Sequence, residues 1–308
     1  MADMVDVAID AGQTRMRIGL AYAGRVTRVA DCPGLTYRHD VRPSDAVLAA
    51  ITGPWAELAV RDQVATVCLG LTSVLGSADE YAALAGGLID RLEAGRVLIA
   101  GDVVTAHAGA FGLGPGVVLA AGTGAIALGL DRDGVRRQVD GWGYLCGDAG
   151  GGFWIGRRGL EAALRGHDGR AEPSALIDHA TAHFGELADL AETLYPAPDA
   201  VARIAEFAPA VLGLADADAY AANIVDEAAR ELAATVAAAS GPGDLPVSWT
   251  GRLLQHDGLR RRFADELAIR RPGVRLHEPI GDGLDGAAKL AAAPELGLHS
   301  GLMRVTVR

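Results

Sequence analysis

The chain has 308 residues, of which 50% are hydrophobic, 22% charged and 5% aromatic, with 41 glycines and a formal net charge of −11. This length predicts about two domains, and abundant glycine with few aromatic residues favours α/β architecture over an all-β sandwich. The acidic balance argues against a nucleic-acid partner and against binding to a membrane surface.

The sequence shows no targeting or membrane-spanning segment. Residues 1–10 enter a strand pattern without the basic and apolar regions of a signal peptide. The apolar stretch at residues 116–130 is too short and too rich in glycine to span a membrane. Cys32, Cys68 and Cys146 are scattered and odd in number, which does not suggest a disulfide framework. We therefore expect a cytoplasmic protein.

The N-terminal part of the chain predicts three strands and then an alternation of helices and strands. A helix is expected to begin near Ser44, and Pro54 should end or kink it. The remaining elements are strands at 5–10, 16–22, 26–30, 64–71 and 97–100, a capped helix through about residue 92 and a helix at 103–111. The strand at 97–100 delivers Asp102 at its carboxyl end.

The C-terminal part predicts two strands around a glycine turn, followed by a mostly helical region. Its later elements are helices near 174–184, 199–214 and 217–239, a strand at 246–250, a helix through about 267, a strand at 274–277 and a closing helix at 283–293.

The densest concentration of glycine lies between residues 117 and 158. The turn Gly122-Thr123-Gly124 joins two apolar runs, and a loop with six glycines surrounds Asp148 before a helical pattern begins. Such loops let the backbone approach a ligand closely, and a helix N-terminus presents free N–H groups that suit an anion. We interpret this stretch as the floor of an active site.

An internal repeat relates the two glycine turns. Aligning Gly12 with Gly122 also aligns further glycine, alanine and apolar positions of three successive strands in each half, which favours a duplication. Both turns could hold phosphate. Only the first brings a carboxylate, because Asp10 aligns with Ala120, and that carboxylate could hold Mg²⁺.

Four segments carry a family resemblance: DAGQT at 10–14, AGTGA at 121–125, GWG, GDAG and WIG within 141–156, and TGR at 250–252. In this order they resemble the BadF/BadG-type ATPase family, and within it the N-acetylglucosamine kinases. The 141–156 block is the most specific of the four, whereas a short glycine turn alone is a weak signal.

The resemblance implies an α/β fold of two duplicated ribonuclease H-like (actin-like ATPase) domains with a central cleft that closes on the substrate. The first domain would span residues 1–104, completed by a C-terminal helix at about 285–308. The second would span residues 105–284, with a helical insertion at about 160–240.

The resemblance also implies the cofactors ATP and Mg²⁺ and a role for each matching residue. Asp102 would be the catalytic base, although its position also fits a helix N-cap. The nucleotide side would comprise Asp10, Gly12, Gln13, Thr14, Gly122, Thr123, Gly124, Gly251 and Arg252, with Asp10 also holding the metal. The sugar side would comprise Thr36, Gly141, Trp142 and Asp148.

The implied activity is transfer of the ATP γ-phosphate to an amino sugar, N-acetylglucosamine at its 6-hydroxyl, by a homodimer. Glucosamine and N-acetylmuramate are the alternative substrates. Two departures from the family pattern fall on the sugar side, since Ala149 replaces an acidic residue and residues 33–40 lack the usual asparagine.

Other readings have less support. Gly281-x-Gly283-x-x-Gly286 matches a dinucleotide fingerprint, but too few residues follow it for a Rossmann unit. His179 and His183 have metal-ligand spacing without a third ligand. A dehydratase-activator ATPase would need cluster-binding cysteines, and none follows Cys146 closely. A non-catalytic sugar sensor would need neither a catalytic base nor a metal ligand, whereas this chain has Asp102 and Asp10 at the matching positions.

Overall fold

The computed structural model describes residues 4–12, 15–32, 34–35, 41–72 and 75–308. It divides into two compact units. The first unit comprises Met1–Gly116, Leu130–Val135 and Glu278–Arg308, and the second comprises Val117–Gly129 and Arg136–His277. No helix among the described residues is long and apolar enough to cross a membrane.

The first unit is built on a six-stranded mixed sheet in the order β10-β5-β4-β1-β2-β3. β4 is parallel to both β1 and β5, while β2, β3 and β10 join antiparallel to their neighbours. The strands are β1 Met4–Ala11, β2 Met16–Tyr22, β3 Arg25–Cys32, β4 Gln63–Leu71, β5 Arg96–Gly101 and β10 Arg304–Val307.

Helices pack on both faces of this sheet, so the first unit has two hydrophobic clusters. Successive side chains of a strand point to opposite faces. In β1, Val7 and Ile9 accordingly join the cluster that includes residues of α1 and α2, whereas Ala8 joins the cluster with α3 and α11. The helices are α1 Pro43–Leu58, α2 Ala78–Leu92, α3 Asp102–Phe111 and α11 Gly283–Ala292, with a 3₁₀ helix at Gly297–Leu302.

The second unit is built on a four-stranded sheet in the order β8-β7-β6-β9, with β6 parallel to β9. Its strands are β6 Gly116–Ala121, β7 Ala125–Leu130, β8 Arg136–Asp140 and β9 Val247–Thr250. One large hydrophobic cluster fills this unit. Its helices are α4 Gly152–His167, α5 Leu176–Phe184, α6 Leu190–Leu194, α7 Ala200–Ala205, α8 Ala208–Leu214, α9 Ala219–Ser240 and α10 Asp257–Arg270, with 3₁₀ turns at Leu187–Asp189 and Leu253–Gln255.

The predicted α/β architecture is confirmed, but some element boundaries were wrong. α1 does not end at Pro54 and continues to Leu58. The predicted helix at 199–214 is interrupted between α7 and α8 at residues 206–207. The strand predicted at 274–277 is reduced to a single bridge between Leu276 and Val247.

The predicted closing helix was also too long. α11 ends at Ala292, because Pro294 follows directly and restricts the residue before it to an extended conformation. The chain then forms the 3₁₀ helix and β10, which pairs antiparallel with β5 from Arg304 opposite Ile99 to Val307 opposite Arg96. The C-terminal segment therefore completes a sheet edge and does not form a helix up to residue 308.

Candidate active site

The candidate region of the first unit is an acid–base network at the carboxyl end of β1. Asp10 lies opposite Arg17 in the antiparallel register of β1 and β2. The Arg17 guanidinium donates to Asp10 Oδ2 and to Asp282 Oδ2, each at 2.7 Å. One cation thus bridges two carboxylates, one from β1 and one from the start of α11.

Asp282 has a second role as the N-cap of α11. Its Oδ1 accepts from the backbone N–H groups of Leu284 and Asp285, and the Asp285 carboxylate accepts from the Asp282 N–H in return, which is a capping box. The next residue, Gly283, faces Asp10, and a Cβ there would lie 2.9 Å from Asp10 Oδ1. The start of α11 is therefore packed directly against the Asp10 carboxylate.

The two carboxylates differ in acidity because their surroundings differ. Burial raises the pKa of Asp10, and the hydrogen bond and charge of Arg17 offset this only in part. Burial also acts to raise the pKa of Asp282, but Arg17 and the backbone donors of α11 outweigh it and hold that pKa below its usual value. The Arg17 pKa is raised by both partners despite its burial, so Arg17 stays charged.

Asp102 lies at the same sheet edge as Asp10. β1, β4 and β5 are parallel, so their carboxyl ends meet, and the Thr72 N–H donates to Ala11 O across that edge at 3.0 Å. Asp102 is the first residue of α3, whose N-cap position is Gly101. The chain direction of three parallel strands thus brings Asp10, Thr72 and Asp102 together.

Asp102 has the acidity expected of a general base that works near neutral pH. Burial raises its pKa to about 6, with a further contribution from the Asp10 charge, while a hydrogen bond with the Thr72 side chain acts in the opposite direction. The residue nevertheless remains partly exposed. A carboxylate of this kind can accept a proton from a bound hydroxyl group.

The candidate region of the second unit lies around the turn of Gly122, Thr123 and Gly124. This turn closes with a hydrogen bond from the Gly122 N–H to Gly124 O at 2.9 Å. The first residues of α4 support it, because the Gly152 N–H donates to Gly122 O at 2.8 Å and the Phe153 N–H donates to Thr123 O at 2.9 Å. The turn predicted to hold phosphate is thereby fixed against a helix N-terminus.

Asp148 packs against this turn. Its backbone is left-handed, with φ of 60°, and its carboxylate fills the space that a Cβ at Gly124 would occupy. Burial raises the Asp148 pKa, and the neighbouring Asp140 charge raises it further. The structure therefore brings together the second glycine turn and the Asp148 loop, as the sequence predicted.

The turn of Thr250, Gly251 and Arg252 reaches the same edge of the second sheet. β9 is parallel to β6, so Thr250 lies beside Ala120 at the carboxyl ends of both strands. Gly251 has φ of 94° and touches the Ala121 carbonyl so closely that no Cβ would fit. Arg252 is exposed just beyond it. Three separate glycine segments thus converge within this unit.

The predicted sugar-side residues of the second unit follow β8. The Gly141 N–H donates to Ala125 O at 3.1 Å, which holds the loop to the first residue of β7. The Trp142 side chain is 78% exposed and is available as a platform for a ligand. Trp154 instead packs against the hydrophobic cluster under the Arg158 guanidinium, as expected for a core residue.

Three predicted site residues, Gln13, Thr14 and Thr36, lie outside the described residues. Gly12, which precedes two of them, donates its N–H to Arg15 O at 3.0 Å. The His179 and His183 pair does not form a metal site, and His183 Nε2 lies 3.0 Å from Arg203 O.

Sequence reasoning missed Arg17, Thr72, Asp282 and Asp140. A signal existed for Arg17, because a tight turn centred on residues 12–15 places it opposite Asp10. Asp282 lies inside the pattern Gly281-x-Gly283-x-x-Gly286, which matches a dinucleotide fingerprint. Its contact with Arg17, 265 positions away, has no local signature.

The residues present are compatible with the Mg²⁺ that the resemblance implies. Of the residues described, only Arg17 hydrogen bonds to the Asp10 side chain, through Oδ2, which leaves Oδ1 for another ligand. No group of three or more histidine, cysteine, aspartate or glutamate side chains suited to a metal occurs in the described part of the chain. Mg²⁺ usually takes one or two carboxylates, water and substrate phosphates, and the Asp10 carboxylate could be one of these ligands.

Several known proteins resemble this chain in sequence and fold. A solved structure from Chromobacterium violaceum, provisionally assigned as an N-acetylglucosamine kinase, matches with a TM-score of 0.76 and 28% identity, over 94% of this chain and 99% of that one. The N-acetylmuramic acid/N-acetylglucosamine kinase of Clostridium acetobutylicum is 31% identical over 149 residues, 47% of this chain and 48% of that protein.

The N-acetyl-D-glucosamine kinase of Dictyostelium discoideum is 36% identical over 108 residues, 34% of this chain and 33% of that protein. The chain thus spans about half the length of the first curated relative and a third of the second. The family resemblance is confirmed, since the model of the BadF/BadG/BcrA/BcrD ATPase family matches residues 24–291. The chain belongs to the BadF/BadG/BcrA/BcrD ATPase family.

Proposed function

We propose that the chain is an ATP-dependent amino-sugar kinase that phosphorylates N-acetylglucosamine at its 6-hydroxyl. The observation that carries this proposal is Asp102, a partly exposed carboxylate with a pKa of about 6 at the sheet edge where the first predicted phosphate loop begins. Family membership and the names of the matched relatives support the same activity.

The proposed reaction is a single phosphoryl transfer. The sugar hydroxyl oxygen attacks the γ-phosphorus of ATP, a new P–O bond forms, and the bond from that phosphorus to the ADP oxygen breaks. The hydroxyl proton passes to the Asp102 carboxylate, which must therefore be ionised when the sugar binds. The products are the sugar phosphate and ADP, with the proton held by Asp102 until it is released to solvent.

The glycine turns would contribute position and electrostatic stabilisation. A phosphate at the turn Gly122–Gly124 would lie near the positive end of the α4 dipole, which favours negative charge, while the N–H groups of Gly152 and Phe153 hold the turn in place. Gly251 and Arg252 would border the nucleoside in this proposal. Mg²⁺ held at Asp10 would neutralise phosphate charge as transfer proceeds.

The identity of the amino sugar is the least constrained part of the proposal. Trp142 offers an exposed ring face, and Asp148 offers a carboxylate that can accept from sugar hydroxyl groups. Ala149 and residues 33–40 both depart from the family pattern at positions assigned to sugar binding. Glucosamine and N-acetylmuramate are therefore the alternative substrates to include in any test. The homodimer implied by the resemblance and the cytoplasmic location expected from the sequence are part of the same proposal.

The cysteines favour a kinase over a dehydratase-activator ATPase. An iron–sulfur cluster of the [4Fe–4S] type needs four thiolates. Cys32 and Cys68 are buried, and burial raises the pKa of both thiols, so neither is a ready ligand. Cys146 is exposed, but two subunits with one such thiol each would supply only two of the four thiolates.

The test is an ADP-release assay with the purified chain, ATP, Mg²⁺ and a panel of sugars. N-acetylglucosamine, glucosamine, N-acetylmuramate and glucose form the panel, and phosphorus NMR identifies the phosphorylated position. We expect the highest kcat/KM with N-acetylglucosamine, and a 6-phosphate product. ADP release that does not depend on any sugar would contradict the proposal.

A further inference from the structure

β8 ends in a residue with an unusual backbone. Asp140 has φ of 63°, in the left-handed region that residues other than glycine rarely adopt, and Gly141 follows with φ of 77°. Such a conformation persists only where the surrounding structure holds it. The Asp140 side chain is part of what holds this one.

Both carboxylate oxygens of Asp140 accept from the backbone of the loop that carries Asp148. Oδ1 accepts from the Asp148 N–H at 2.7 Å, and Oδ2 accepts from the Ala149 N–H at 3.2 Å. Gly147 lies so close to Oδ1 that a Cβ at that position would overlap it. One side chain at the end of a strand therefore closes the loop 141–147 and fixes two consecutive amides beyond it.

The residue whose amide Asp140 holds, Asp148, also contacts the second glycine turn. Asp148 is itself left-handed, its carbonyl accepts from the Gly151 N–H at 2.9 Å, and its carboxylate lies against Gly124. Among the described residues, Asp140 is the only hydrogen-bond acceptor for the Asp148 N–H. Asp140 thus holds the backbone of Asp148, while the Asp148 carboxylate itself accepts from the backbone N–H groups of Gly143 and Ala125.

Asp140 also places a second negative charge near Asp148, and this like charge is one of the two causes that raise the Asp148 pKa. A loop that needed only closure could be closed by an uncharged acceptor. The loop is therefore closed at an electrostatic cost that an uncharged acceptor would avoid.

We propose that Asp140 is a positioning residue that sets the place of the Asp148 carboxylate against the second glycine turn. Its effect on turnover rests on the proposed kinase function, in which Asp148 contacts the sugar. Its effect on the loop amides does not rest on that function and can be measured without substrate.

Three variants separate the possibilities. Asp140→Gly keeps the left-handed backbone without strain and removes both acceptors. Asp140→Asn tolerates the same backbone and keeps one acceptor oxygen. Asp131→Gly is the matched control, because Asp131 Oδ1 also accepts from two backbone amides, those of Asp133 and Val135, in an exposed turn.

The first measurement is amide hydrogen exchange by NMR in the free protein. In Asp140→Gly we expect the Asp148 and Ala149 amides to exchange at least about tenfold faster, the scale of losing one net hydrogen bond. In Asp140→Asn one of the two amides should stay protected, and in Asp131→Gly both should match the wild type. Unchanged exchange in Asp140→Gly would overturn the proposal.

The second measurement is steady-state kinetics with sugar and ATP varied separately. Asp140→Gly should raise KM for the sugar about tenfold or more while KM for ATP changes little, and Asp140→Asn should recover much of the loss. Faster exchange with an unchanged sugar KM would show a purely structural contact and overturn the positioning role. A wild-type chain that phosphorylates no sugar would instead refute the proposed function, and the exchange comparison would still decide whether Asp140 fixes the loop.

Discussion

The protonation state of Asp102 should make the reaction rate depend on pH. Its pKa is raised to about 6 mainly by burial, so the fraction of ionised base changes between about pH 5 and 7. A general base must be unprotonated to accept the proton of the sugar hydroxyl. Activity is therefore expected to rise as pH increases through this range.

We predict that kcat/KM for the sugar increases through an apparent pKa near 6 and that Asp102→Asn lowers turnover by roughly 10²-fold or more. Asp90→Asn, which alters an exposed carboxylate on α2, is the control and should keep the wild-type profile. The measurement is the initial rate from pH 5 to 9 with saturating ATP. Near-normal turnover of Asp102→Asn would remove this residue from the mechanism.

At the scale of elements, α3 and α11 approach each other through glycine. Gly286 of α11 faces the Thr105 carbonyl and the Gly109 N–H of α3, and Gly109 faces the Asp282 carbonyl. A Cβ at Gly109 or Gly286 would overlap backbone atoms, which cannot move without separating the helices. The capping box of Asp282 and the first residue of α3, Asp102, are held by the same pair of helices.

We predict that Gly286→Ala lowers the free energy of unfolding by at least about 2 kcal/mol, as expected for overpacking in a close contact. Gly86→Ala, within α2, is the matched control, since no atom lies within 4 Å of the new Cβ. There the helix propensity of alanine should stabilise the protein by about 0.5 kcal/mol. Urea unfolding of both variants gives the comparison, and equal stabilities would contradict the packing argument.

A second contact between elements joins α3 to the C-terminal 3₁₀ helix through two buried histidines. His107 Nε2 lies 3.0 Å from Gly116 O, and a carbonyl can only accept, so Nε2 carries a proton. His107 Nδ1 then accepts from His299 Nε2 at 3.0 Å. Burial lowers the pKa of both rings to about 4, with the neighbouring His299 also lowering that of His107, so the pair is neutral at pH 7.

The sign of the pH dependence follows from these values. Both histidines bind protons more weakly in the folded state, so their contribution to stability is complete above pH 6.5 and is lost as pH falls towards 4. We predict that the stability difference between the wild type and the double variant His107→Gln/His299→Gln shrinks by roughly 4 kcal/mol between pH 7 and pH 5, about 2 kcal/mol for each histidine. Urea unfolding at both pH values measures it.

The control for this experiment is His179→Gln, because His179 is exposed on α5. The difference in the free energy of unfolding between this variant and the wild type should be the same at pH 7 and pH 5. A double variant that shows the same pH dependence as the wild type would mean that the buried pair does not stay neutral in the folded protein.

At the scale of the whole molecule, the sequence was most informative where backbone geometry restricts the residue. Gly124 and Gly251 identified their turns correctly, because the Asp148 carboxylate against Gly124 and the left-handed backbone of Gly251 leave little choice of residue. Asp102 could be placed because the end of a buried strand is visible in the hydrophobic pattern. Predictions of this kind depend on local signals.

The features that were missed depend on contacts between distant parts of the chain. Arg17 reaches Asp282 only through the tertiary fold. β10 is four residues long and exposed along its length, so it carries no alternating pattern, and only its pairing with β5 makes it a strand. Asp140 was missed because its role depends on a left-handed backbone that a sequence does not reveal for aspartate.

The discontinuous first unit has a consequence for how the protein is made on the ribosome. Glu278–Arg308 supplies α11, the 3₁₀ helix and β10, while the rest of the same unit comes mostly from residues before 117. One face of the first sheet includes Ala8, Cys68 and Leu98, and α11 packs against it. During synthesis this apolar surface stays incompletely covered until α11 has been made. The second unit, whose residues all precede Glu278, can finish folding first. A truncated or stalled chain would therefore expose an uncovered sheet face with Asp10 next to it, and such a chain is a natural target for chaperones and proteases.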